Sequence, residues 1–488
     1  MNIAIIQFAS ASIHFAASLE ILKKESISNV SAFYCVWGAQ TKLAGRMSAN
    51  FETLTGAIPN KIQKLILTAN PNVSINNKMI FDEIWVAHHM VGLLKEIETL
   101  DSLPDLRRLE FEGVNPGSAI ASELATITKN AETKLQKHES LIRILIRSYL
   151  EVYSATMIFY SKCHIDVVHL YNGRFLHERA VWDASKRLNV KVLLFETTRN
   201  RYFQRKEGFH NRLNNQKAML GHWYNADETL EEKIKIGSRY FSELRSSANP
   251  FSSSAHSRVE VEKPYFVYFS SSDDELVGFW DEREEKLGNQ LQCVRTLQNY
   301  FDRQSNFNLM IRVHPNLKNK AQEVIEKWES LESTHMTRVF KAQDTISSYA
   351  LLDGSIGSIS FGSTMCIEAA FSYKPSLVLS DCGYDEIGAV DKGNTWQEVT
   401  NWIESGHLLS EVELQQRKIH SCIRGYFLAT AGLKFEHTLL EEKGWGAWEA
   451  TQFMSRKISE RILFQKYRTG LNRVKLFLSL KYAILSGK

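Results

Sequence analysis

Arg312 and His314 have the residue types and the spacing to bind a phosphate. Arginine presents a planar fork of donors, and histidine can donate from either ring nitrogen. They end an apolar run at 307–313 that predicts a buried strand, and strand alternation places both on the same side of the chain. Pro315 fixes the backbone just beyond the histidine. The alternative is a histidine at a strand end that bonds a local carbonyl.

A second candidate for phosphate binding is the turn Gly362-Ser363-Thr364. It follows a predicted strand at 355–360 and opens a predicted helix. Backbone amides at a helix N-terminus bind phosphate and the hydroxyls add donors, although an ordinary N-cap has the same sequence pattern. Glu368 lies four residues after Thr364 on the same helical face. Its carboxylate could accept from ribose hydroxyls, or it could be a solvated charge.

Ser270 and Ser271 could close the same pocket from the opposite side. They follow a predicted strand at 265–269 and begin a polar run that ends in two adjacent acids. The alternative is a run that caps the next helix. Adjacent acids lack the spacing of a metal-binding DxD pair, so we predict neither a metal nor another cofactor.

In the first half, polar residues at two neighbouring strand ends could hold an acceptor substrate. Asn172 and Arg174 follow a predicted strand at 165–170, and Glu196 ends the next one at 190–195. Such strand ends carry the ligand sites of α/β domains. Glu196 could be a general base, or it could form a salt bridge with an arginine. Further candidates for the base are His210, which could also bind the acceptor, and Glu20, Glu123 and Glu178.

The elements that must position these residues alternate between strand and helix patterns. The clearest unit is the strand at 165–170, a helix at 175–188 and the strand at 190–195, which together form a βαβ unit. Further strands are predicted at 2–8, 32–37, 83–87, 265–269, 307–313, 338–340, 355–360 and 376–379. Further helices are predicted at 15–22, 91–100, from about 119 onward, and at 138–159, 287–301, 318–331, 346–352 and 364–371.

This alternation predicts an α/β protein of two doubly wound, Rossmann-like domains that face a cleft, with a helical C-terminal tail. The 488 residues are too many for a single core. A stretch rich in serine, near 246–257, is the best candidate for a linker. The predicted boundaries are 1–245 for the acceptor domain, 246–262 for the linker, 263–430 for the nucleotide-binding domain and 431–488 for the tail.

Composition and motifs disfavour several classes of protein. The net charge of +4 is too small to indicate nucleic acid as a partner. The six cysteines form no CxxC or CxxH pattern, which argues against a zinc site and fits a reducing cytoplasm. No signal peptide or membrane-length apolar run is evident, so we expect a cytoplasmic protein. No Walker-A loop, GxGxxG fingerprint, HExxH motif or nucleophile elbow occurs.

The tail beyond Trp445 is rich in aromatic and basic residues. From Arg456 onward, Glu460 is the only acid. One interpretation is a basic amphipathic helix that lies on an anionic bilayer, at the inner face of the cytoplasmic membrane. The other is a C-terminal helix that packs across the first domain.

Several of these stretches resemble bacterial capsule and surface-polysaccharide glycosyltransferases of the GT-B fold. The similar stretches are 268–275, 311–316, 344–352, 362–370 and, in the first half, Asn172-Gly173-Arg174. His314-Pro315 also resembles the pair in GT-B sialyl- and Kdo-transferases, in which the histidine contacts the phosphate of a CMP-sugar. Those enzymes follow paired acids with a glycine, whereas Glu275 stands here. The donor nucleotide therefore stays open between CMP, UDP and other nucleoside diphosphates.

The resemblance implies a metal-independent transfer of sugar from a nucleotide-sugar to a glycan or lipid-linked glycan, for capsule, O-antigen or another surface polysaccharide. It implies a donor site in the second domain and an acceptor site in the first, with His314 and Glu196 as catalytic residues. The donor site would comprise Ser270, Ser271, Arg312, His314, Ser363, Thr364 and Glu368, and the acceptor site Asn172, Arg174 and His210. The alternatives are a non-hydrolysing sugar-nucleotide epimerase and a non-catalytic subunit of a polysaccharide assembly complex.

Overall fold

The structure is a computed structural model that describes most of the first 450 residues. The described residues are 1–7, 13–26, 31–36, 60–76, 79–198, 201–205, 212–246, 262–275, 277, 286–304, 306–435, 440–444 and 447–450. Three predicted features lie outside them, namely the candidate His210, residues 247–261 of the linker and residues 451–488 of the tail.

The strands are short and largely apolar, as expected where helices cover both faces of a sheet. All five residues of Tyr265–Phe269 are buried, for example. The strands of the described residues are β1 (Asn2–Gln7), β2 (Ser31–Val36), β3 (Ser74–Asn76), β4 (Val167–Tyr171), β5 (Lys191–Thr198), β6 (Arg201–Arg205), β7 (Tyr265–Phe269), β8 (Asn308–Arg312), β9 (Thr337–Phe340), β10 (Gly357–Ser360), β11 (Ser376–Val378), β12 (Asp391–Lys392), β13 (Leu433–Lys434), β14 (Leu440–Gly444) and β15 (Ala447–Ala450).

Helices connect the strands, and several begin with a side-chain cap. Capping boxes open the helices that start at Gln290 and Glu411. The α-helices are α1 (Ile13–Ser26), α2 (Asn60–Ala69), α3 (Glu83–Ile97), α4 (Leu103–Leu106), α5 (Pro116–Thr128), α6 (Glu139–Lys162), α7 (Leu176–Arg187), α8 (Arg212–Asn225), α9 (Leu230–Ser246), α10 (Gln290–Arg303), α11 (Gln322–Glu329), α12 (Ser348–Gly354), α13 (Met365–Phe371), α14 (Trp396–Asn401) and α15 (Glu411–Thr430). Short 3₁₀-helices lie at Leu135–His138, Asp273–Glu275 and Pro315–Asn319, and a π-helical turn lies at Trp402–Gly406.

The described residues form two compact units. Unit 1 comprises those within Met1–Phe209 and Gly432–Lys488, and unit 2 comprises those within His210–Ala431. The sequence-based boundary at 246–262 therefore differs from this division. The reason is that α8 and α9 pack against α15, so they belong to the second unit rather than the first.

The sheet of unit 1 has the strand order β13-β6-β5-β4-β1-β2-β3 in the described part of the chain. Strands β3, β2, β1, β4 and β5, in that order across the sheet, are parallel to one another. Strand β6 is antiparallel to β5, and β13 is antiparallel to β6. Sequence analysis predicted neither β6 nor β13. Both are short, and β6 carries charged residues at each end, as suits a strand near a sheet edge.

The sheet of unit 2 has the order β12-β11-β10-β7-β8-β9, and every pairing in it is parallel. Both units therefore share one arrangement, in which the first strand of the unit has neighbours on both sides. Strand β1 lies between β4 and β2, and β7 lies between β10 and β8. The order reverses between β1 and β4 in unit 1 and between β7 and β10 in unit 2. This reversal is the usual ligand position of a doubly wound sheet. The predicted α/β class with two Rossmann-like domains is confirmed.

Helices α9 and α15 of unit 2 touch at the level of their backbones. A Cβ added at Gly237 would lie 2.5 Å from the carbonyl oxygen of Cys422. A Cβ added at Gly425 would lie 2.6 Å from the carbonyl oxygen of Gly237. Real Cβ atoms do not approach so closely, so the two glycines set how near the helices lie.

The predicted strand at 83–87 is wrong, because these residues begin helix α3. Asp82 caps the helix by accepting a hydrogen bond from the backbone N–H of Trp85 at 3.0 Å. Val86, Leu93 and Ile97 form its buried stripe at helical spacing. The third parallel strand is instead β3, whose three residues carry too little apolar pattern to be recognised in the sequence.

All six cysteines lie among the described residues, and each is a free thiol. Five of them are buried and pack as small apolar side chains. No helix in the described ranges is long and apolar enough to cross a membrane.

Candidate functional site

A cavity of about 300 Å³ opens in unit 2 where β7, β8 and β10 end. Six of the seven residues predicted to bind a donor line it, namely Ser270, Arg312, His314, Ser363, Thr364 and Glu368. They come from three segments that lie far apart in the sequence. Parallel pairing of β7 with both β8 and β10 brings the ends of these strands together.

His314 enters this cavity as a neutral imidazole. Its Nδ1 accepts a hydrogen bond from the backbone N–H of Asn316 at 3.1 Å, which assigns the ring proton to Nε2. Burial, followed by the charges of Lys320 and Arg312, lowers the pKa of His314 to about 4. The backbone N–H of His314 donates to Ser270 Oγ at 2.7 Å. The ring therefore offers a donor rather than a positive charge at neutral pH.

Arg312 lines the cavity, but its terminal nitrogens already have partners. Nη1 donates to the carbonyl of Lys341 at 2.6 Å, and Nη2 donates to the carbonyl of Asp344 at 3.1 Å. The Nε atom is buried, and no described residue bonds it. Burial lowers the pKa of the guanidinium. Arg312 therefore holds the segment after β9 in place, a role that its sequence position did not reveal.

The turn after β10 also uses some of its donors internally. Ser360 Oγ accepts from the backbone N–H groups of Gly362 and Ser363, each at 3.1 Å. Gly362 has a φ of +116°, a value that suits glycine. The helix that follows, α13, has only seven residues. What the turn presents to the cavity is therefore mainly the side chains of Ser363 and Thr364.

Glu368 is buried beside the cavity and bonded to hydroxyl groups. Tyr349 donates its hydroxyl to Glu368 Oε2 at 2.6 Å, and Thr364 forms a further side-chain bond. Burial raises the pKa of Glu368, while these bonds and the charges of Arg424 and Arg245 lower it. The carboxylate of Glu368 thus already accepts from other cavity residues, and a ribose hydroxyl would donate to the same carboxylate beside them.

Sequence analysis missed Tyr349 and Arg424, which also line the cavity. Arg424 comes from α15, far from the recognised motifs, and its guanidinium carbon lies 5.6 Å from the ring centre of Tyr384. Nothing in the local sequence around residue 424 signals a ligand site. The position of Arg424 depends on how α15 packs against the rest of unit 2. That packing cannot be read from the sequence around residue 424.

Ser271 and the two acids that follow it, Asp273 and Asp274, do not line the cavity and instead bond neighbouring segments. The backbone N–H of Ser271 donates to Gln290 Oε1 at 2.6 Å, and its hydroxyl is buried without a partner among the described residues. Lys320 pairs with Asp274 at 2.8 Å, and Gln290 bonds Asp273. The two adjacent acids are therefore occupied in fixing the loop after β7.

In unit 1, the sequence-predicted residues meet at the end of β4. Asn172 has a φ of +56° and Gly173 one of +75°, so two successive residues have left-handed backbone. This turn directs the Asn172 amide to donate to Glu196 on β5. Glu196 also accepts from the N–H of Thr197 at 3.1 Å and bonds Tyr171. Burial raises the pKa of Glu196, and these bonds oppose the rise.

Two further carboxyl groups lie near Arg174. Burial raises the pKa of Glu178 to about 7. Glu123 is fully buried and its pKa is also raised by burial, with the charge of Glu178 adding to the shift and that of Arg174 opposing it. The guanidinium of Arg174 lies over the Phe175 ring at 4.6 Å. Glu20, the remaining carboxylate that the sequence left open, is buried in α1.

His14 packs against the same edge of unit 1. Its ring centre lies 3.6 Å from that of Tyr171, and its Nδ1 lies 3.1 Å from Thr197 Oγ1. Burial lowers the pKa of His14 to about 3, so the ring is neutral. Within the described ranges, no group of three or more His, Cys, Asp or Glu side chains could hold a metal ion.

Comparison with known proteins gives structural likenesses at very low identity. No protein-family model matches the chain, and no curated protein matches it in sequence. A beta Kdo 2,4 transferase, KpsC of Thermosulfurimonas dismutans, is similar with a TM-score of 0.36 and 11% identity, over 53% of this chain and 79% of that one. The calicheamicin glycosyltransferase CalG4 has a TM-score of 0.29 and 10% identity, over 87% of this chain and 94% of that one.

A UDP-GlcNAc 2-epimerase of Neisseria meningitidis is similar as well. Its TM-score is 0.25 and its identity 12%, over 87% of this chain and 97% of that one. Likenesses this low assign neither a family nor an activity.

Proposed function

We propose that the chain is a glycosyltransferase that moves a sugar from a nucleotide-sugar to a glycan acceptor in the synthesis of a bacterial surface polysaccharide. The observation that carries the proposal is the cavity at the strand-order reversal of unit 2. His314, Ser363 and Thr364, predicted from the sequence as one phosphate site, all line it. Ligands of doubly wound sheets bind at this position.

The cavity has the donors that a departing nucleotide needs. In the transfer, the bond between the anomeric carbon and a phosphate oxygen breaks, and its electron pair stays on that oxygen. The Nε2–H of His314 and the hydroxyls of Ser270 and Ser363 would stabilise the developing charge, while the hydroxyl of Thr364 donates to Glu368 and helps to hold that carboxylate in place. Donors that are fixed before the reaction stabilise such charge most effectively. Glu368, held by Tyr349, would accept from a ribose hydroxyl.

Unit 1 has groups suited to an acceptor. Asn172 and Arg174 would position the acceptor sugar, and Glu196 would take the proton from the attacking hydroxyl as its oxygen bonds the anomeric carbon. The raised pKa of Glu196 makes it a stronger base than a solvated carboxylate. Membrane contact through the basic tail and a lipid-linked acceptor remain part of the proposal.

A thermal-shift screen with CMP, UDP, GDP and CDP tests the donor site first. A nucleotide that binds the folded chain raises its melting temperature by mass action. The corresponding nucleotide-sugar is then incubated with surface glycan extracted from the cells that naturally make the chain. Transfer of sugar to the glycan, with release of the nucleotide, is the expected result.

His314→Ala should slow this transfer about 100- to 1,000-fold, because one preorganised donor is lost. His335→Ala is the matched control, since His335 belongs to the same unit and its side chain is 71% exposed. Conversion of the free nucleotide-sugar without any acceptor would instead indicate an epimerase. Undiminished transfer by the His314 variant would contradict the proposed site.

A further inference from the structure

The sequence motifs bring one arginine to the cavity of unit 2, and backbone carbonyls already occupy its terminal nitrogens. The titratable residues that line the cavity are Tyr240, Arg312, His314, Tyr349, Glu368 and Arg424. Both terminal nitrogens of Arg312 donate to backbone carbonyls. His314 is a neutral donor, and Tyr349 donates to Glu368. Of the two arginines that line the cavity, Arg312 keeps only its buried Nε without a described partner, so a bound phosphate would meet unoccupied terminal guanidinium nitrogens at Arg424.

Arg424 is placed to meet an anion beside the turn after β10. It is half-buried in α15 and lies over the ring of Tyr384, whose hydroxyl donates to the carbonyl of Ser363. Within the described residues, its guanidinium makes no hydrogen bond or close ion pair, although its charge acts on Glu368 and lowers the pKa of that carboxyl. The next residue, Gly425, lies at the close crossing with α9, which fixes the helix at this point.

We propose that Arg424 is the residue that binds the phosphate of the donor nucleotide. The inference rests on the proposed function and adds to it a contact from outside the recognised motifs. A guanidinium can bond two phosphate oxygens at once, and its charge makes each bond stronger than a neutral one. The neutral donors His314 and Ser363 then orient the phosphate, while the charge of Arg424 attracts it.

The test compares a nucleotide with its nucleoside, which lacks the phosphate. The nucleotide is whichever of CMP, UDP, GDP and CDP binds the unaltered chain most tightly. Calorimetry on the full chain measures the dissociation constants of both probes for the unaltered chain, Arg424→Gln and Arg424→Lys. Arg239→Gln is the control, because Arg239 lies on the neighbouring helix α9, its side chain is 80% exposed, and it pairs with the exposed Glu243.

Arg424→Gln should weaken nucleotide binding about 10- to 100-fold, the usual effect of losing a charge-assisted hydrogen bond. Nucleoside binding should stay unchanged, and Arg424→Lys should lie between the two. Equal nucleotide binding by the unaltered chain and Arg424→Gln would overturn this inference but leave the proposed function standing. An equal loss for nucleotide and nucleoside would also overturn it, because it would indicate a purely structural role. If no nucleotide bound the unaltered chain, both proposals would fail.

Discussion

The two units share one strand order, yet the carboxyl ends of their sheets carry opposite chemistry. In unit 2, the strand ends surround a cavity with hydroxyls, a neutral histidine and the arginine of α15. In unit 1, the corresponding ends carry Glu196 beside the turn at Asn172, with further buried carboxyl groups near Arg174. Apart from Glu368, the edge of unit 2 thus presents mainly hydrogen-bond donors, whereas the edge of unit 1 presents carboxyl groups that can accept a proton.

This difference shows that the strand order selects where a ligand site can form, while a few side chains decide what it does. Anion binding needs donors and positive charge, which unit 2 has. Proton transfer near neutral pH needs a carboxylate whose pKa has been raised, which burial provides in unit 1. The proposed transfer would use both functions, and the variants below test them separately.

The largest effect should come from Glu196→Gln, which removes the proposed base but keeps the shape of the side chain. We expect transfer to fall about 100- to 10,000-fold, with nucleotide affinity unchanged because Glu196 is not part of the donor cavity. Steady-state transfer and calorimetric binding measure the two quantities. Glu96→Gln, at an exposed position of α3, is the control. A similar loss of nucleotide affinity would contradict the proposal that unit 1 supplies the base and unit 2 binds the nucleotide.

Arg312→Gln should distinguish the two arginines of the donor cavity. It removes two charged hydrogen bonds to carbonyls, so the free energy of unfolding should fall by about 2 to 4 kcal/mol. Arg424→Gln removes no such bond, and its loss should stay below about 1 kcal/mol. Chemical unfolding of the two variants measures the difference. Equal stability would mean that the carbonyl contacts of Arg312 contribute little.

Glu178→Gln tests the raised pKa at the edge of unit 1. The unfolded carboxyl titrates near 4.5 and the folded one near 7, so the folded chain keeps a proton that the unfolded chain has lost. This contribution to stability is greatest below pH 4.5 and disappears as the pH rises through 7. Relative to the variant, the unaltered chain should lose about 2 to 3 kcal/mol between pH 5 and 8. If the free energies of unfolding of the two proteins changed in parallel with pH, the raised pKa of Glu178 would be refuted.

The smallest effect concerns the pH dependence of the donor cavity. His314 has a pKa of about 4, so it stays neutral from pH 6 to 8. The affinity for a nucleotide-sugar, whose phosphate esters do not titrate there, should change less than about threefold. Calorimetry at several pH values measures it. A strong rise in affinity toward pH 6 would show that His314 binds as a cation and would erase the contrast in charge between the two edges.

Much of the scaffold follows from apolar periodicity in the sequence. The strand that leads into His314 and the strand that carries Glu196 were predicted within a few residues of β8 and β5, because buried parallel strands have long apolar runs. The same rule failed at residues 83–87, where branched and aromatic residues suggested a strand. There the Asp82 cap and the spacing of Val86, Leu93 and Ile97 favour a helix.

Side-chain partners were harder to predict than positions. Residue types placed Arg312 and Ser363 near a phosphate site, but they could not show that carbonyls occupy Arg312 or that Ser360 accepts from the backbone of the turn. These bonds depend on segments that meet only in three dimensions. Arg424 escaped prediction for the same reason, since it reaches the cavity through helix packing rather than through a local motif.

The glycine contact between α9 and α15 has a consequence for how this chain can vary. Adding even one methyl group at Gly425 would force the helices apart and carry the neighbouring guanidinium outward with them. Substitutions at Gly237 would act in the same way from the opposite helix. Neither Gly237 nor Gly425 lines the cavity, yet both fix how far the guanidinium of Arg424 reaches into it. Substitution at either glycine should therefore weaken nucleotide binding before it prevents folding.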